Sequence, residues 1–110
     1  MGVQLTWHSD VMADLLDREL DAYLAHLRVE RGLSMNTLTN YGRDLARYLE
    51  HLRSCGIARP GQVTLEHAQR FGAKLVRGGP GRPALAPSSV SRMLAAVRGL
   101  HRFWVSEAVV

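Results

Sequence analysis

LDAYLAHLRVERGLSMNTLTNYGRDLARYLEHL, residues Leu20 to Leu52, is the stretch that decides how this chain folds. Leu20, Leu24 and Leu27, with Tyr23 beside them and Leu16 one turn earlier, recur at helical steps and form one apolar stripe. Gly32 is a natural stop, because glycine enters the left-handed conformation that ends helices without a side-chain penalty. Ser34 then suits the N-cap of a second helix, where a hydroxyl can accept from a first-turn N–H. That helix carries Leu38, Tyr41, Leu45, Tyr48, Leu49 and Leu52 on its apolar face and ends at Gly56.

Working outward, Pro60 and Gly61 punctuate a loop, and Thr64 can cap a third helix with Leu65, Ala68, Phe71, Leu75 and Val76 inward. Gly78, Gly79, Pro80, Gly81, Pro83 and Pro87 follow, and breakers at this density predict an exposed, mobile connection. Ser88 or Ser89 caps a last helix with Val90, Met93, Leu94, Val97, Leu100 and Trp104 inward. No segment alternates with the period of a strand, and there is no internal repeat. Four amphipathic helices predict an all-α fold, a compact four-helix bundle. The 110 residues suit one domain, with 1–14 as an N-terminal extension that is a candidate for disorder and 15–110 as the domain itself.

Composition narrows the class. No run reaches the roughly 18 apolar residues of a membrane span, and Met1 to Ser9 lack the basic start and apolar core of a signal peptide. The single cysteine, Cys55, excludes an internal disulfide and fits a reducing cytoplasm, where the chain is expected to reside. Charge is unevenly spread: six acids stand against Arg18 and Arg28 in residues 1–30, and the remainder carries 12 basic residues against four acidic ones. That asymmetry suggests a polyanionic partner for the later segments. Thirteen of the 14 basic residues are arginine, whose planar fork suits phosphates and guanine edges, although an Arg- and Ala-rich chain also follows from GC-rich coding.

The outward faces sharpen this. Asn36, Asn40, Arg43 and Arg47 share one side of the second helix. Ser91, Arg92, Ala95, Arg98, Gly99 and Arg102 form a strip on the fourth, where the small Ala95 and Gly99 would let a partner come close. Tight helix packing would explain a mid-helix glycine as well. Asparagine pairs with adenine and arginine with guanine or phosphate, and a helix of this kind fits the major groove. Either strip alone also reads as an ordinary solvated face; two on helices that pack together favour DNA. The candidate DNA-binding set is Asn36, Thr37, Asn40, Arg43, Arg47, Ser89, Ser91, Arg92, Arg98 and Arg102.

Enzyme chemistry has no footing here. His8, His26, His51, His67 and His101 are scattered, and His51 with Cys55 makes at most half a zinc site. No nucleophile arrangement stands out, and the glycines around Pro80 lack the ending of a phosphate loop. No catalytic residue, metal or cofactor is expected. Two other classes compete: a helical protein-interaction module without DNA binding, which mixed outer faces would favour, and a helix-turn-helix regulator. The latter needs a turn of about three or four residues before its recognition helix, and the Gly/Pro connection is too long.

Leu20 to Leu52 resembles the start of tyrosine recombinases of the XerC/XerD type and of phage integrases: an acidic leucine helix, a Gly-Leu-Ser turn, Asn-Thr-Leu, a tyrosine, then Arg-Asp-Leu. SSVSRMLAAVRGLHRFWVSEAVV (Ser88 to Val110) resembles the last helix of the same N-terminal domain, and VTLEHAQRF (Val63 to Phe71) is similar to its short third helix. The resemblance runs from about Leu15 to Val110 and is nearer to XerD than to XerC. It implies a SAM-like core-binding domain that forms half of a clamp on duplex DNA, with the second and fourth helices toward the major groove. It further implies that strand exchange, with chromosome-dimer resolution as the expected role, is carried by a following catalytic domain absent from this chain. That domain would supply the tyrosine nucleophile, so Tyr23, Tyr41 and Tyr48 are not it. The first helix would touch neighbouring recombinase subunits of a tetramer on DNA, which suits its acidic face.

Overall fold

The computed structural model describes residues 2–107, with side chains from residue 15 onward. Four α-helices follow one another: α1 (Gly2–Arg31), α2 (Met35–Ser54), α3 (Leu65–Arg77) and α4 (Pro87–Ser106), with a short 3-10 turn at Pro60–Gln62. What residues 1–14 do as an extension lies outside the residues whose side chains are described. Among the described residues no helix is long and apolar enough to cross a membrane.

The stops and starts obey local chemistry. Gly32 takes φ +59°, and Ser34 Oγ accepts from the Thr37 N–H at 3.2 Å to cap α2, worth about 1 kcal/mol. At the other end of α2 the Ile57 N–H donates to Leu52 O and the Gly56 N–H to Arg53 O, both at 3.0 Å. With Gly56 at φ +79° and both Leu52 and Ile57 buried, this is a Schellman ending with its apolar clasp. Thr64 opens α3 by donating its backbone N–H to His67 Nδ1 at 2.9 Å.

Two expectations about the helices need correcting. The start of α4 is capped by neither Ser88 nor Ser89: Ala86 is the N-cap and Pro87 is the first helical residue. Proline loses nothing there, since that N–H has no helical acceptor, and it holds Ala86 extended. On α3, Leu65 and Val76 are 72% and 61% exposed rather than inward. The buried arc is Phe71, Gly72 and Leu75 with Ala68 half-buried, and the two exposed residues sit roughly 70–90° from its midline at 3.6 residues per turn.

The Gly/Pro connection is exposed but has structure of its own. Gly79 and Arg82 exchange backbone hydrogen bonds of 2.7 and 3.0 Å around Pro80 and Gly81, the latter at φ +74°, the residue order of a type II turn. The Leu85 N–H donates to Leu75 O at 2.9 Å, tying the connection to α3. A Cβ on Gly78 would sit 2.5 Å from the Ala84 nitrogen, so glycine is required where the two legs of this hairpin cross.

The core lies where the helices converge. Leu16, Leu20, Tyr23 and Leu27 of α1 meet Leu45, Tyr48, Leu49 and Leu52 of α2 and Met93, Val97, Leu100 and Trp104 of α4, while Phe71 and Leu75 close it from α3. Tyr48, fully buried, shares a 2.7 Å hydrogen bond with His101 Nε2. The resulting all-α bundle turns the polar sides of α2 and α4 outward on either side of one groove.

Candidate nucleic-acid interface

On α2, the steps of four, three and four set Asn36, Asn40, Arg43 and Arg47 along one side; the first three are exposed and Arg47 is half-buried. Thr37 is half-buried, and its Oγ1 accepts from the Ser34 hydroxyl at 3.0 Å, so it belongs to the cap as well as to the polar side. On α4, Ser91, Arg92, Arg98 and Arg102 are exposed and Ser89 is half-buried.

The two helices bring part of this set together. Arg43 and Arg47 from α2 face Ser89 and Arg92 from α4 across a shallow, open groove of about 430 Å³, with Arg82 of the hairpin at its side. Two carboxylates stand among these arginines. Arg92 Nε donates to Asp44 Oδ2 at 3.1 Å and its Nη2 lies 3.5 Å from Oδ1. Arg82 Nη2 donates to Glu50 Oε2 at 3.1 Å. Among the described residues no carboxylate lies within 4.0 Å of Arg43, Arg47 or Arg98. The groove therefore combines unpaired guanidinium groups, which attract phosphate from a distance, with paired ones held in a fixed direction.

Asn36, Thr37, Asn40, Ser91 and Arg98 lie outside the groove lining. Arg102 lines a separate depression with Tyr23, Arg31, Tyr41 and Gly99, where α1 meets α2 and α4. The open question at Gly99 has a clear resolution: a Cβ there would run into the Tyr23 hydroxyl, so the glycine serves the packing of α1 on α4. Beyond the groove, Arg47 and Arg82 are shared with a second cavity of about 410 Å³ that adds Lys74 and Arg77 at the end of α3. Arg82, Arg77 and Lys74 were absent from the sequence-based set. A basic residue inside the Gly/Pro turn was the available signal for Arg82.

The half-site at His51 and Cys55 is occupied by ordinary contacts. His51 is buried, and its Nε2–H donates to His67 O at 3.0 Å while Cys55 Sγ stands 3.9 Å away. Burial pushes the His51 pKa down against the opposing pull of that carbonyl; burial also lowers His101 and raises Tyr48. These shifts belong to the core and not to the groove. Among the described residues no three His, Cys, Asp or Glu side chains converge as metal ligands.

Comparison with known proteins places the chain in a family. The chain is 45% identical over 93 residues to tyrosine recombinase XerD of Mycobacterium tuberculosis, covering 83% of this chain and 30% of that protein. It is 44% identical over 88 residues to tyrosine recombinase XerD of Corynebacterium glutamicum, covering 80% and 29%. To tyrosine recombinase XerC of Pseudomonas putida it is 38% identical over 88 residues, covering 80% and 28%. The chain thus spans about three-tenths of the length of these relatives. No solved structure matches it. The model of the phage integrase N-terminal SAM-like domain matches residues 20–108, from the α1 leucine stripe past the end of α4, and with a four-helix all-α architecture the chain belongs to that family.

Proposed function

We propose that this chain is the DNA-binding part of a site-specific tyrosine recombinase and holds duplex DNA at a recombination site through the α2–α4 face. The carrying observation is the convergence of Arg43, Arg47, Arg82 and Arg92 from three separate segments on one open groove. An α-helix with its side chains is about 10–12 Å across, which matches the major groove of B-DNA. In this reading Arg43 and Arg47 bind phosphates, Asn36 and Asn40 extend the contact along α2, and Ser91, Arg98 and Arg102 continue it along α4. Thr37 and Ser89 steady the first turns of the two helices against the DNA. Strand breakage and rejoining belong to a catalytic domain elsewhere in the parent protein. The complete protein works as a tetramer with partner recombinase subunits in the cytoplasm, resolving chromosome dimers.

The test is a titration of a labelled duplex at several salt concentrations. Each neutralised phosphate contributes about −0.9 to the slope of log K against log salt, so four to six contacts give roughly −4 to −5. Absence of binding at low ionic strength would leave a protein-interaction module as the better reading.

A further inference from the structure

Asp44 is an acid in the middle of a face otherwise rich in arginine. There it weakens attraction to every phosphate, so a site built for charge alone is better without it. Its geometry supplies a different role. The Asp44 side chain is 14% exposed, while that of Arg92, lying over it, is 59% exposed. The carboxylate takes Arg92 at two points, Nε at 3.1 Å and Nη2 at 3.5 Å. A guanidinium has five N–H donors, and this contact occupies the Nε/Nη2 edge. The Nη1/Nη2 end, a flat two-pronged donor, remains for a partner. A guanidinium so placed has much of its charge offset and its rotamer fixed before binding, which suits hydrogen-bond readout more than phosphate attraction. Arg43 and Arg47, with no carboxylate within 4.0 Å among the described residues, have the opposite character.

We propose that Asp44 is a positioning residue that aims the free end of Arg92 at a guanine edge in the major groove, making this pair a determinant of sequence preference, while Arg43 and Arg47 contribute sequence-independent affinity. The proposal rests on the DNA-binding reading. The acceptor it names is the O6/N7 pair of guanine, which the end-on fork matches in spacing. As folding support the ion pair is weak at this exposure, so its removal is expected to change recognition more than stability.

The experiment selects binders from a duplex pool with a randomised block, using the full chain, Asp44→Asn and Arg92→Ala, and measures each against a mixed-sequence duplex. The wild-type chain is expected to enrich guanine at one position. Both variants should reduce the preference for that base on the order of tenfold or more, a loss much larger than any change on mixed-sequence DNA. Replacing the selected guanine by 7-deazaguanine, which lacks N7, should weaken the wild-type chain and not Arg92→Ala; this arm stands even if Asp44→Asn fails to fold. A guanine preference that survives Asp44→Asn overturns the positioning role. Equal losses on selected and mixed-sequence DNA overturn it too, since a merely structural or Coulombic contact behaves that way. A wild-type chain that binds duplex DNA without base preference sinks the proposal and leaves the DNA-binding reading intact, whereas no duplex binding at low salt sinks that reading itself.

Discussion

On their core sides α1 and the α2–α4 pair are built alike, from leucines and aromatics one helical turn apart, yet their solvent sides differ in charge balance. The outer side of α1 presents Asp17, Asp21 and Glu30 against Arg18, Arg28 and Arg31, and Asp17 accepts from Arg53 Nη2 at 2.6 Å, joining α1 to the end of α2. On the α2–α4 side arginine predominates, and the two acids in the groove are each committed to an arginine. Inner faces of one kind thus make a single fold, while the outer faces separate a charge-balanced side from an arginine-rich one that DNA would approach. Stability and recognition should accordingly be separable by substitution.

The largest test of that separation sets Leu45→Ala against Arg43→Ala. Leu45 is fully buried, and removing such a side chain costs about 2–5 kcal/mol through lost burial and the cavity left behind, a large share of a small domain's roughly 5–15 kcal/mol. Arg43 is exposed, so its loss should change stability by less than ~0.5 kcal/mol while flattening the salt slope of DNA binding by about one. Denaturant unfolding and duplex titration of both variants check this, with Arg28→Ala as the control from the outer side of α1. If Arg28→Ala weakened DNA binding as much as Arg43→Ala, charge would be acting diffusely and no one side would be the DNA face.

The inner faces were legible because their signal is local: a stripe repeats every turn and can be read from any few residues of Leu16 to Leu27 or Leu38 to Leu52. The misread positions depend on neighbours. Leu65 and Val76 fit a helical apolar pattern, but α3 is only 13 residues long, and its buried arc is set by how Phe71 and Leu75 meet the other helices. Serines looked like the better cap for α4, yet the restriction Pro87 places on its own φ and on Ala86 begins the helix sooner. On the outer faces, arginine spacing along each helix was visible, but what each arginine meets was not. Asp44 and Arg92 are 48 residues apart, and Glu50 and Arg82 are 32 apart. No periodicity within a helix encodes such pairs, because they depend on where the helices cross.

A second test probes the inner side by pH. Burial lowers the pKa of both His51 and His101, and His101 shares its hydrogen bond with the buried Tyr48. A histidine whose pKa falls on folding resists protonation in the native state while the unfolded chain accepts it. Stability should therefore be flat above the ordinary histidine pKa of 6.5 and decline as pH falls below it. Each histidine can contribute up to about 1.4 kcal/mol per pH unit in that window. Denaturant midpoints at about pH 7.5 and about pH 5 should differ in that direction, and His101→Gln should reduce the difference. A midpoint that is unchanged or higher in acid would mean that the native core admits the protons after all.

The smallest effect concerns Gly99, which the sequence alone left divided between a partner's approach and helix packing. Replacing a mid-helix glycine by alanine ordinarily gains up to about 1 kcal/mol. Here the new methyl meets the Tyr23 hydroxyl, on a ring that is itself buried and tilted against Phe103 at 5.3 Å. Gly99→Ala alone should therefore fail to show the gain, and Tyr23→Phe, which removes only the hydroxyl, should restore it. The quantity to measure is the coupling in the double-mutant cycle, expected to be favourable and on the order of 1 kcal/mol. Duplex binding by the folded Gly99→Ala chain should stay close to wild type, because the crowding lies between α1 and α4 and not in the arginine groove. Additive stability effects combined with a loss of DNA affinity would instead return Gly99 to the binding face, beside Arg102.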